Sequence, residues 1–178
     1  ADFAERYRAA QVDRNRRIAS WCEQQLDWLA NSGEAPPGLE DVAFTIHGTG
    51  ADLRFLDGSI DPSDRAIGVT LHGTPHVANY LPAMISRYSS ARSFLNQWSI
   101  DHTMADSLRW LPSVTTPFLV VLGTADPTVL PEMARQMYDA ATASPRRDLH
   151  FVQGATHYFE NQPDLLAEAL DTIAAWLD

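Results

Sequence analysis

The chain has 178 residues, 45% of them apolar, and its 23 acidic and 13 basic side chains leave a net charge of −10. That size and composition suit one globular domain, and the negative field repels phosphate backbones, which argues against nucleic acid as a partner. No apolar run approaches the ~20 residues that cross a bilayer, so no membrane partner is expected, and the lone Cys22 permits no intrachain disulfide.

Residues 2–30 read as a helix, with Phe3, Tyr7 and Ala10 on one face and Ile18, Cys22, Leu26 and Leu29 continuing at spacings of three and four. Asn31-Ser32-Gly33 ends it, and Pro36-Pro37-Gly38 makes the stop firm. Unbroken, that helix would be on the order of 45 Å long at 1.5 Å per residue, more than a compact core covers, so a break or a place in a lid is expected. Cys22, between Trp21 and Glu23, reads as a small buried hydrophobe.

Residues 39–80 are rich in Gly, Pro, Asp and Thr and read as an insertion. Its short apolar pieces, Val42 to Ile46 and Ile67 to Leu71, either pair as a small sheet or stay irregular, and periodicity does not decide. In residues 82–98 Met84, Tyr88, Ala91, Leu95 and Trp98 recur at helical steps, which predicts a helix. Asp101 is placed to cap a shorter one running through Trp110.

After Pro112 and Pro117 the pattern becomes regular. Phe118-Leu119-Val120-Val121-Leu122 has no polar residue, as in a parallel strand covered on both faces, and residues 149–152 form a shorter run of the same kind. Helices are expected over 131–141 and 163–177, each with Pro in its first turn. The last carries Leu166, Leu170, Ile173 and Leu177 at helical spacing, a stripe expected to cover the sheet.

Two loops follow the two strands: Gly-Thr-Ala-Asp-Pro-Thr at 123–128 and Gly-Ala-Thr-His-Tyr-Phe at 154–159. Open α/β sheets carry their chemistry on such loops. The 30 intervening residues suffice for one helix and one strand, so adjacent parallel strands would bring Asp126 and His157 together. An imidazole with an ordinary pKa near ~6.5 is suited to take a proton and return it. A carboxylate on its other nitrogen fixes the tautomer and stabilises the imidazolium. Asp before Pro after a strand is also an ordinary turn, and a His in a Gly-containing loop is often just surface; order, spacing and flanking strands together favour the catalytic reading. Asp139 and Asp148 are poorer candidates for the acid.

This segment, roughly a third of the chain, resembles the last third of an α/β-hydrolase, where the acid and then the His follow late strands of the sheet. The resemblance implies a Ser nucleophile in a G-x-S-x-G elbow upstream of both. The glycines stand at 33, 38, 48, 50, 58, 68, 73, 123 and 154, and no two are four apart, so no such elbow exists here. Ser86, Ser89, Ser90 and Ser93 lie in the helical pattern, and Ser59 and Ser63 in a turn-rich stretch, so none follows a buried strand. Ala1 opens directly onto a helical pattern with no signal-peptide apolar region, and it carries no nucleophile for an N-terminal-nucleophile hydrolase.

The two strands alone make a poor independent fold. The expectation is therefore α/β: the C-terminal part of an α/β-hydrolase fold with a helical lid, incomplete without its N-terminal segment. Residues 1–112 would form the lid or insertion region and 113–178 the strands and helices of the core. The partner would be the N-terminal half of the same precursor, released by processing; a chain from which that half has simply been left out is the alternative. Asp126 and His157 would act on an ester, amide or related acyl bond of a small-molecule substrate, with Tyr88, Trp98 and Tyr158 as substrate-binding aromatics, although a stripe at helical spacing is more often plain core. An upstream Asp nucleophile, as in epoxide hydrolases and dehalogenases, or a non-catalytic hydrolase-like binding protein, are the alternatives.

His47 in His-Gly-Thr-Gly and His72 in His-Gly-Thr-Pro resemble the oxyanion segment of esterases, but that segment precedes the nucleophile, so both are read as turns. His72 and His76 are interrupted by Gly-Thr-Pro and no H-E-x-x-H occurs, so neither metal nor cofactor is expected.

Overall fold

The computed structural model describes residues 2–46, 53–68 and 88–178, and combines helices with two small sheets. His47, His72, His76, Met84 and Ser86 lie outside the described residues. Two compact units divide the described chain, one of residues 2–46, 53–56 and 88–105, the other of 57–68 and 106–178.

In the first unit α1 (Asp2–Asn31) runs unbroken for 30 residues, so the expected break is not there. Its C-terminal two-thirds carries the contact: Asn15, Ala19 and Cys22 are buried at spacings of four and three, and Ile18 and Leu26 pack beside them. In its first turn Phe3 is 72% exposed, whereas Tyr7 in the second is half-buried. Gly33, at φ 73°, takes the left-handed conformation that follows the helix end.

Strand β1 (Ala43–Thr45) pairs antiparallel with β2 (Tyr88–Ser90). Residues 88–90 are therefore strand where the apolar spacing predicts helix, and Val42 to Ile46 finds its partner there. The helix begins only at α2 (Ala91–Gln97), because the Ser90 hydroxyl accepts from Ser93 N–H and starts it as a cap. Phe94 fills the core against Phe44, Ala19 and Cys22.

Asp101 caps no helix, since its carboxylate takes a two-point contact from Arg16 at 2.9 and 3.1 Å. The short α3 (Ser107–Trp110) is capped instead by Asp106, which accepts from Leu108 N–H.

The second unit carries the α/β pattern. Strands β3 (Phe118–Gly123) and β4 (Arg147–Val152) pair in parallel, from Phe118 opposite Arg147 to Gly123 opposite Val152. β4 begins two residues earlier than the apolar run, so Asp148 lies inside it. The strands are separated by α4 (Pro131–Ala140) and followed by α5 (Pro163–Leu177), both with Pro in the first turn. Alternate residues of β4 meet different helices: Arg147 lies over Tyr138 and Phe151 under Arg135 of α4, whereas Asp148 accepts from Trp176 and His150 meets Glu168 of α5. The two helices thus cover opposite faces.

α5 is rotated from the expected orientation. Leu165 and Ala169 pack on Val121, Val152 and Ala155, and Trp176 and Glu168 bond to β4 along the same side. Leu166, Leu170, Ile173 and Leu177 are exposed, at 43, 56, 38 and 73%. The small Ala169 allows the close approach, and the polar bonds to Asp148 and His150 fix the turn of the helix, so the longer apolar stripe points away from the sheet. β3 is only half-buried along Phe118 to Leu122, so the cover its composition implies is partial.

Candidate active site

β3 and β4 end side by side, and the loops leaving them are joined before they diverge. Thr124 N–H donates to Val152 O at 3.0 Å, Ala125 N–H to Ala155 O at 3.0 Å, and Gly154 N–H to the Thr124 hydroxyl at 2.8 Å. Gly123 is required at the crossing, because a Cβ there would stand 2.1 Å from the Ala155 carbonyl oxygen.

These contacts set Asp126 against His157, with Asp126 Oδ2 2.8 Å from His157 Nδ1. The Asp126 side chain is 3% exposed and that of His157 28%. The other carboxylate oxygen, Oδ1, accepts from Thr128 N–H at 2.8 Å and Val129 N–H at 2.9 Å. Asp126 thus holds its own turn with one oxygen and meets the imidazole with the other. Three donors converge on one buried carboxylate, which offsets the cost of removing it from water.

A carboxylate can only accept, so Nδ1 carries the proton and Nε2 of the neutral ring keeps its lone pair. No hydrogen bond is made to Nε2 among the described residues. The ring is supported edge-on by Tyr158, centroids 4.7 Å apart, and Tyr158 is itself 67% exposed. The His loop then reverses through Phe159 and Asn161, both at positive φ (52° and 56°). Asp139 lies on α4 and Asp148 holds Trp176, so neither competes for His157.

Tyr88 and Trp98 belong to the first unit. With Ala43, Ser89, Ser90, Ser93 and Gln97 they line a cavity of about 340 Å³. Trp98 also packs against the core of that unit, and its carbonyl accepts from Asn15 at 2.7 Å.

Ser59, Ser89, Ser90 and Cys22 have settings unlike a nucleophile's. Ser90 caps α2, Ser89 is buried on β2, and Ser59 bonds Asp57 in a turn. Burial, with Asp41 and Glu23 nearby, pushes the Cys22 thiol up to about 11. Among the described residues no group of three metal-ligating side chains occurs, and no helix is long and apolar enough to cross a membrane. One residue that periodicity could not reveal is Gln162, whose amide holds the His loop.

Compared with protein-family profiles, curated proteins and solved structures, the chain matches none.

Proposed function

We propose that this chain supplies the base and the orienting acid of a serine hydrolase of α/β-hydrolase type, acting on an ester, amide or related acyl bond. The observation that carries the reading is the 2.8 Å contact between His157 Nδ1 and a buried Asp126, built on the loops of two adjacent parallel strands. In this mechanism His157 Nε2 takes the proton of an attacking hydroxyl and returns it to the leaving group. Asp126 keeps the ring in the required tautomer and stabilises the imidazolium.

The hydroxyl comes from a segment outside these 178 residues, the N-terminal half of the same precursor. Among the described residues, a two-stranded sheet with a half-exposed strand, and an α5 that leaves Leu166, Leu170, Ile173 and Leu177 exposed, support a partner that buries apolar surface. The exposed Tyr158 beside the imidazole is the substrate contact of this unit, and Tyr88 and Trp98 line a cavity within the other.

The test is hydrolysis of short acyl esters by the chain assembled with its upstream half. His157→Ala should abolish turnover and leave assembly nearly intact. Unchanged turnover would remove His157 from the mechanism.

A further inference from the structure

Gln162 stands at the position that would cap α5, yet its side chain makes no bond to that helix. The amide reaches back across the His loop. Nε2 donates to Gly154 O at 2.8 Å, while Oε1 accepts from Thr156 N–H at 2.9 Å and from the Thr156 hydroxyl at 3.1 Å. One side chain therefore uses donor and acceptor to close the loop that contains His157, at a residue directly before it and at the glycine that opens the loop. Its own N–H donates to Phe159 O, and its carbonyl accepts from Leu166 N–H, so the amide is anchored to the first turn of α5.

Gly154 and Ala155 are in turn bonded to Thr124 and Ala125, the two residues before Asp126. A continuous set of hydrogen bonds thus runs from the start of α5 through Gln162 to the backbone that aims both members of the pair. A Gln is a poor N-cap compared with Ser, Thr, Asp or Asn. The helix forgoes that cap while the amide satisfies loop groups instead.

We infer that Gln162 is a positioning residue that holds the His157 imidazole on Asp126, acting through the closed Gly154–Thr156 segment. Its consequence for turnover rests on the hydrolase reading; its effect on the pair does not. Gln162→Ala removes all three bonds. Gln162→Glu keeps the acceptor for Thr156 and loses the donor to Gly154.

The experiment is ¹⁵N–¹H spectroscopy of the imidazoles in the full chain, with the His157 signals assigned by their loss in His157→Gln. In the wild type the hydrogen-bonded Nδ1–H should be slow to exchange. In Gln162→Ala its exchange should be on the order of tenfold faster, with Gln162→Glu intermediate and the signals of His102 and His150 unmoved. An Nδ1–H of wild-type shift and exchange in Gln162→Ala would overturn the inference, and so would collapse of the whole amide spectrum in both variants, which would make Gln162 a residue of the fold. In the assembled protein the same variants should lower kcat with little change in KM. A sensitive Nδ1–H with no esterase activity in the wild type would sink the hydrolase reading and leave the role of Gln162 standing.

Discussion

Gly123→Ala tests how the pair is held without touching either member. The added Cβ would lie 2.1 Å from Ala155 O, 2.6 Å from its carbonyl carbon and 2.9 Å from its Cβ. Ordinary contact lies near ~3.5 Å, so the His loop must move by more than about 1 Å, and because the clash is with backbone no rotamer change relieves it. The movement breaks the Ala125 to Ala155 hydrogen bond, at about 1 kcal/mol, and adds overpacking strain of about 1–3 kcal/mol. The sum, about 2–4 kcal/mol, lowers the melting midpoint by roughly 5–15 °C. The same shift opens the 2.8 Å contact between His157 and Asp126, and a misplacement of ~1 Å costs turnover on the order of 100-fold. Denaturant unfolding and the His157 Nδ1–H signal measure the two effects. A variant within about 0.5 kcal/mol of wild type, with that signal unchanged, would refute the claim that the crossing of β3 and the His loop sets the pair.

Two further substitutions separate the roles of Asp126. Asp126→Asn keeps an oxygen for Thr128 and Val129 but presents an amide to His157, which reverses the tautomer; turnover of the assembled protein should fall by on the order of 10⁴ with little loss of stability. Asp126→Ala also frees the two backbone N–H groups, and chemical denaturation should show an additional loss of about 1–3 kcal/mol. Cys22 gives a pH prediction: its folded pKa is raised to about 11 above an unfolded value of ~8.5, so the neutral thiol is the form the fold favours. Its contribution is fully present below the unfolded value and is lost as pH rises through the folded one. Stability of wild type should fall more than that of Cys22→Ala across this alkaline window, and iodoacetamide should label Cys22 at neutral pH only on unfolding.

The second unit was legible because its signals are local and redundant. The unbroken apolar run at Phe118 to Leu122, the Pro at the start of α4 and α5, and the loop residues between them all agree. Asp126 and His157 followed from that register, since two parallel strands of six residues end together. The first unit was harder to read, because its short elements depend on distant partners. Tyr88 to Ser90 satisfies a helical spacing yet pairs with Ala43 to Thr45, more than forty residues away. Asp101 has the chemistry of a cap and is taken by Arg16. On α5 two apolar stripes compete, and the choice is made by Asp148 and His150 on β4, which no periodicity within the helix records. Gln162 left no sequence signal at all, because an amide that bridges a loop obeys no period.

The most direct measurement of the central claim is covalent labelling of the assembled protein with a fluorophosphonate, read by intact mass on each polypeptide. One equivalent on a serine outside these 178 residues, lost or greatly slowed in His157→Ala and Asp126→Asn, is the result expected of a base and acid acting on a borrowed hydroxyl. Labelling at the same rate in all three proteins, or none in the wild type, would contradict it.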